Sequence, residues 1–158
     1  MIEDKIITQK ELDNFLMGET LGDKAKALLN QQKENWEMLS EGYESLDSVE
    51  VKEFEFDGFS LKVQFNPGRI KSSAAKVDSK SIKERQCFLC PENLPAEQKA
   101  IPFRNDYLLL SNPFPIFPEH FTIPQIEHFP QTIFDNFTDL LELSKEISKF
   151  YTVFYNGP

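Results

Sequence analysis

The sequence contains little of what the commonest catalytic and membrane functions require. It has two histidines and two cysteines, and it has no glycine-rich phosphate motif and no arguable Ser-His-Asp or Cys-His catalytic set. No stretch approaches the ~20 apolar residues that cross a bilayer. The amino terminus lacks the apolar core and cleavage site of a secretory signal. We therefore expect a cytoplasmic location and no membrane partner.

The sequence also has fewer basic than acidic residues. The chain carries 17 basic and 26 acidic residues, for a net charge of -9. A protein that wraps a nucleic-acid backbone needs a basic surface, so no nucleic-acid partner is expected. An anionic small ligand stays open, because a local group of basic side chains and backbone N–H groups can hold phosphate on an acidic protein. With 158 residues, of which 40% are hydrophobic, the chain is large enough for one core.

The apolar pattern predicts an α+β fold with an amino-terminal helical segment at 1–47, followed by a second region at 48–158. Helical spacing over 8–46 predicts a helical pair, with a break between Gly18 and Gly22. Alternating apolar residues on both sides of Asp57-Gly58 predict a β-hairpin. A slip in the alternation between Val51 and Phe54 suggests a bulge or an irregular start of its first strand.

Further elements are predicted in the second half of the chain. Strand composition marks 107–111, 120–124 and 150–156, and helical spacing marks 133–149. We expect these strands to join the hairpin in one antiparallel sheet, with the helix crossing one face.

The two cysteines form a C-x-x-C motif, Cys87-Phe88-Leu89-Cys90. This spacing lets two thiolates bind one tetrahedral zinc ion, and His120 and His128 follow as candidate ligands. The two histidines are further apart than in a zinc finger, so they need not both bind. A redox dithiol is disfavoured because prolines follow and no βαβ unit is visible. The cysteines could also be small buried apolar residues, whereas a structural disulfide is disfavoured.

The segment 69–85 is the most basic part of the chain. It has six lysine or arginine side chains with serines between them: Arg69, Lys71, Lys76, Lys80, Lys83 and Arg85. Most such charge runs are solvated loops. Its position directly before the cysteines makes a phosphate-contacting loop the functional alternative.

The order of motifs resembles the histidine-triad (HIT-like) superfamily, in its transferase and phosphorylase branch. Cys-x-x-Cys is followed by Leu-Leu-Leu-Ser-Asn-Pro-Phe-Pro at 108–115, then by Pro-Glu-His-Phe-Thr-Ile-Pro at 118–124 and by His128. This branch comprises galactose-1-phosphate uridylyltransferase, diadenosine tetraphosphate phosphorylase and the GDP-hexose phosphorylases. The resemblance covers roughly residues 66–158, and it implies a HIT-like antiparallel sheet with a crossing helix.

The resemblance also implies roles for particular residues. It makes Cys87, Cys90 and His128 the ligands of a structural zinc ion. It makes His120 a structural residue of the nucleotide pocket, and it places Asn112 where simpler members contact the ribose with Asp. It assigns substrate binding to Asn66, Arg69, Ser72, Ser73 and Asn112. The implied ligand is a nucleotide or a nucleotide sugar.

The nucleophile of the family is missing from the sequence. The segment 153–158 resembles the strand and turn before the family's His-x-His motif, and the sequence given stops there. The resemblance thus implies the amino-terminal part of a nucleotidyltransferase or nucleotide phosphorylase that acts on a nucleotide sugar or dinucleoside polyphosphate. Such enzymes work through a nucleotidyl-histidine intermediate, and no catalytic residue is expected among these 158.

Two other functions stay open at this stage. One is a non-catalytic zinc-binding or nucleotide-binding module. The other is an interaction domain with an incidental C-x-x-C motif. In an incomplete fold, the predicted strand 150–156 would be an exposed apolar edge, which favours a homodimer or aggregation.

Overall fold

The computed structural model describes residues 2–69, 78, 80 and 85–157, and within them the fold is α+β with two small antiparallel sheets. The helices are α1 (Gln9–Asp13), α2 (Leu21–Asn35), α3 (Glu37–Glu44) and α4 (Phe137–Ile147). The strands are β1 (Glu50–Phe56), β2 (Phe59–Phe65), β3 (Ala100–Phe103), β4 (Tyr107–Ser111) and β5 (Phe121–Thr122). Short 3-10 helices occupy Ile2–Lys5, Ser45–Ser48, Pro67–Arg69 and Pro91–Asn93.

The amino-terminal segment is helical, as predicted; its first break, at 14–20, overlaps the predicted one, although Gly22 lies inside α2. Thr8 and Thr20 each close a capping box at the start of α1 and α2, which satisfies the free N–H groups of the first turn. The second predicted helix is interrupted at Trp36, whose backbone is extended. The Trp36 ring is buried with Leu29 and Leu39. The backbone therefore turns between α2 and α3 while the side chain at the turn stays in the core.

The main core forms around the three-stranded sheet β3-β4-β5. Leu108, Leu109 and Leu110 of β4 are all essentially inaccessible to solvent. Because neighbouring strand residues point to opposite faces, Leu109 packs with Leu28 of α2, whereas Leu108 and Leu110 pack with Leu94. The predicted strand at 107–111 is confirmed and lies at the centre of the sheet. Strand β3 was not among the predicted elements.

The hairpin at Asp57-Gly58 is confirmed, but it stands apart from this sheet. Its strands pair without interruption from Glu50 opposite Phe65 to Phe56 opposite Phe59, so the predicted bulge or irregular strand start is wrong. Gly58 has φ +87, which a tight turn requires and glycine adopts without strain. The prediction of a single sheet is also wrong, because β1 and β2 form a sheet of their own. Alternation indicates that a strand has one apolar face, but not which sheet it joins.

The carboxy-terminal part contains the predicted helix, shortened to Phe137–Ile147. The predicted strand at 150–156 is wrong, since the described residues of this segment form no strand. Side chains hold it instead: the Tyr151 ring packs edge-on against Phe121 at 5.3 Å, and Val153 joins the cluster around Leu143. Tyr151 and Val153 pack partly buried against the core, whereas Phe150 and Phe154 are 43% and 56% exposed. In the described part of the chain, no helix combines the length and apolar character needed to span a membrane.

Candidate functional site

The C-x-x-C motif folds into a compact knuckle. The Cys90 amide donates to the Cys87 carbonyl at 3.3 Å, and the Asn93 amide donates to the Cys90 carbonyl at 2.9 Å. The side-chain Nδ2 of Asn93 also donates to the Cys87 carbonyl, at 2.8 Å. These bonds fix the backbone between the two cysteines, and both thiols are free rather than joined in a disulfide.

His128 converges on this knuckle from the chain that follows β5. Its Nδ1 lies 3.1 Å from Cys90 Sγ, and the ligand atoms of Cys87, Cys90 and His128 all lie within 4.8 Å of one another. Tetrahedral zinc with Zn–S of about 2.3 Å and Zn–N of about 2.0 Å would separate its ligand atoms by about 3.5 to 3.8 Å. The three side chains therefore form a group that could hold a metal ion.

The three side chains of this group differ in their exposure to solvent. Cys90 is buried and Cys87 is half-buried, whereas His128 is exposed. Burial, with a smaller effect from the neighbouring Cys87 thiol, raises the pKa of Cys90 to about 11. A free Cys90 would thus be a neutral thiol at neutral pH, and a bound cation would be needed to hold it as thiolate.

A second cluster forms where the hairpin meets the proline-rich loop at 112–120. Asn66 directly follows β2, and its Oδ1 accepts from the Gly68 amide at 2.9 Å. Its Nδ2 is buried and has no hydrogen-bond partner within the described ranges. Arg69 follows, close enough to His120 that its positive charge, together with the larger effect of burial, lowers the pKa of that imidazole. Arg69 is thus linked to both neighbours: its backbone amide donates to the Asn66 carbonyl at 3.2 Å, and its charge acts on His120.

The other predicted substrate residues differ in their placement. Both ends of the Asn112 side chain are engaged: Oδ1 accepts from the Phe114 amide at 2.9 Å, and Nδ2 donates to Thr122 Oγ1 at 3.2 Å. Asn112 therefore shapes the proline-rich loop. Its backbone amide also donates to the His120 carbonyl, at 2.9 Å. Ser72 and Ser73 lie outside the described residues.

Tyr43 holds this loop from the helical side and was not among the predicted site residues. Its hydroxyl donates to the His120 carbonyl and accepts from the His120 amide, both at 3.0 Å. Burial raises the pKa of Tyr43 to about 12. Nearby, the Tyr151 hydroxyl donates to the Glu119 carboxylate at 2.5 Å. Tyr43 and His120 are 77 residues apart in the chain, so no local sequence pattern predicts their contact.

The fold and the site define a small α+β protein with a Cys-Cys-His group able to bind a metal ion. Comparison with protein families matches residues 28–158 to the domain of unknown function DUF4922. The match includes both clusters, and the chain belongs to this family. No curated protein matches the sequence significantly. No solved structure does so either.

Proposed function

We propose that this chain is the zinc-binding, nucleotide-binding part of a nucleotidyltransferase or nucleotide phosphorylase of the HIT-like class. The observation that carries the proposal is the convergence of Cys87, Cys90 and His128. These are the residues that the resemblance to galactose-1-phosphate uridylyltransferase assigns to zinc. In this proposal the ion is structural, and the nucleophilic histidine is supplied by polypeptide outside these 158 residues.

The ligand set supports zinc by its chemistry. Two thiolates and an imidazole are the soft and borderline donors that zinc prefers, whereas calcium and magnesium prefer oxygen ligands. A metal held by three protein groups takes its fourth ligand from water or from another residue. His120 is not part of the group, and its Nδ1 accepts from the Ile116 amide at 3.4 Å.

The cluster around Arg69 supports an anionic ligand. Arg69 brings positive charge to a chain with a net charge of -9, and the buried Nδ2 of Asn66 is a hydrogen-bond donor beside it. Guanidinium and amide donors are suited to phosphate oxygens. The phosphates of a nucleotide sugar would lie against these two side chains, with His120 behind them.

Metal content tests the first half of the proposal. Protein purified without chelator should carry about one zinc ion per chain by elemental mass spectrometry, and Cys87→Ser should lose it and melt at a lower temperature. The matched control is Ser144→Ala, a small substitution on α4 outside the cluster. Absence of zinc at every stage of purification would overturn the metal assignment.

Nucleotide binding tests the second half. Titration calorimetry with UDP-glucose, GDP-mannose and diadenosine tetraphosphate should give a measurable affinity for one of them. Arg69→Gln should weaken it at least tenfold, since charge-assisted hydrogen bonds contribute about 1.5–3 kcal/mol. Lys62→Gln removes an equal charge from the hairpin and should leave binding unchanged. If none of the three binds, the proposal fails.

Reaction with the same compounds tests where the nucleophile lies. Intact-mass measurement of this chain after incubation should show no nucleotidyl adduct. An adduct on His120 or His128 would contradict the assignment of the nucleophile to polypeptide outside the chain.

A further inference from the structure

The hairpin presents a continuous apolar face to solvent. Residues that are paired across β1 and β2 point to the same side, and so do alternate residues along each strand. The pairs Phe56–Phe59 and Phe54–Leu61 therefore share one side with Val63 and Phe65. We call this side the apolar hairpin face, which consists of Phe54, Phe56, Phe59, Leu61, Val63 and Phe65. The opposite side carries Val51, Glu53, Glu55, Ser60, Lys62 and Gln64.

Every residue of this face is about half exposed, between 46% and 57%. An isolated two-stranded hairpin is marginally stable in water and needs a covering layer or further strands. The described residues supply no such layer over the face, and the two rings Phe56 and Phe59 stack only on each other at 4.9 Å. Contiguous apolar patches of several hundred Å² on a soluble protein mark interaction surfaces.

We propose that the apolar hairpin face is covered by the same face of a second copy of this chain, in a two-fold symmetric β-sandwich. An aromatic side chain buries 150–250 Å² when fully covered, so the remaining exposure of the six side chains is on the order of 600 Å² per copy. Two copies would bury roughly 1,200 Å² in total, which reaches the lower end of stable protein interfaces.

Charge favours self-association through this face over other surfaces. The chain carries a net charge of -9, so most surfaces of two copies repel each other. The apolar hairpin face has one acid and one base beside it, Glu50 and Lys52, which the register places opposite Phe65 and Val63 on the same side. Two-fold pairing thus brings together surfaces without excess negative charge. This inference does not depend on the proposed nucleotide ligand.

Two valines on opposite sides of the hairpin provide a matched test. Val63 lies on the apolar hairpin face and Val51 on the other side, with exposures of 56% and 57%. Sedimentation velocity between roughly 1 and 100 µM, the range where a small interface dissociates, should show reversible dimers of the 18.3 kDa chain. Val63→Glu should raise the dimer dissociation constant at least tenfold, whereas Val51→Glu should change it less than about twofold.

Folding and contact site are checked separately. In Val63→Glu the new carboxylate faces Lys52 across the strands, so the melting temperature should stay close to that of the parent chain at monomeric concentration. A photo-crosslinking benzoylphenylalanine at position 54 should couple to the hairpin of a second copy, and one at position 53 should not. A monomer at all concentrations, equal effects of both valine variants, or crosslinks only to other proteins would overturn the proposal.

Discussion

Removing the Tyr43 hydroxyl tests how the helical segment holds the loop that contains His120. In Tyr43→Phe the ring stays in its cluster with Leu29 and Leu39, while both hydrogen bonds to the His120 backbone are lost. The carbonyl of His120 keeps one donor, the amide of Asn112 at 2.9 Å. The His120 amide loses the partner that the structure gives it.

The expected cost follows from these partners. Losing a neutral hydrogen bond costs about 0.5–1.5 kcal/mol, and leaving a buried donor unsatisfied costs about 1–3 kcal/mol. Because His120 is only half-buried, water can reach part of the gap, so we expect a total near 2 kcal/mol. For a chain of this size that lowers the melting temperature by roughly 4–8 °C.

Calorimetric melting of Tyr43→Phe beside the parent chain measures this directly. Tyr155→Phe is the control, because within the described residues its hydroxyl makes no hydrogen bond. Hydrogen exchange should show faster exchange of the His120 amide in Tyr43→Phe alone. A melting temperature within about 1 °C of the parent, with unchanged exchange, would refute the view that this tyrosine anchors the loop.

Three further predictions concern pH, the core and the hairpin turn. Burial raises the pKa of Tyr43 to about 12. Its contribution to stability should therefore be complete below about pH 10 and lost as the pH rises through about 12. In denaturant unfolding, Tyr43→Phe should lose less unfolding free energy at alkaline pH than the parent chain. Leu109→Ala, at a site 1% exposed, should cost about 2–5 kcal/mol in unfolding free energy, whereas exposed Leu141→Ala should cost under about 0.5 kcal/mol. Gly58→Ala should loosen the hairpin, because its φ of +87 strains any side chain; faster amide exchange in β1 and β2, without change in the core, checks this.

Local patterns in the sequence predicted the elements whose signals are themselves local. Alternation with an Asp-Gly turn was enough for the hairpin at 50–65, and helical spacing with a break near Gly18 was enough for the amino-terminal helices. Strand β3 was not predicted because Pro102 interrupts its short apolar run. The segment 150–156 has strand composition without strand pairing: Tyr151 and Val153 pack against the core, while Phe150 and Phe154 are exposed. Sheet membership depends on contacts between distant segments, which spacing does not encode.

In the candidate site, too, the residues with local sequence signals could be predicted and the contacts between distant segments could not. The C-x-x-C spacing made the cysteines visible, and the resemblance to the HIT-like class selected His128 over His120; the structure brings His128, and not His120, to the thiols. Substrate binding by Asn66 and Arg69 stays a prediction; the structure places the charge of Arg69 near His120. The clamp from Tyr43 could not have been anticipated, because it depends on α3 packing beside the loop at 112–120.

The two clusters are linked by one short stretch of chain. His120 precedes β5 and His128 follows it, and the chain between them is fixed to β4: the Leu108 amide donates to the Pro124 carbonyl at 3.0 Å. Beyond that point, the Ile126 amide donates to the Asp106 carbonyl at 2.7 Å. A metal ion at His128 would therefore fasten the knuckle to a segment whose other end is held by Tyr43. If the proposed function holds, a structural ion at His128 would stabilise the cluster around Arg69 through the sheet, without touching the ligand.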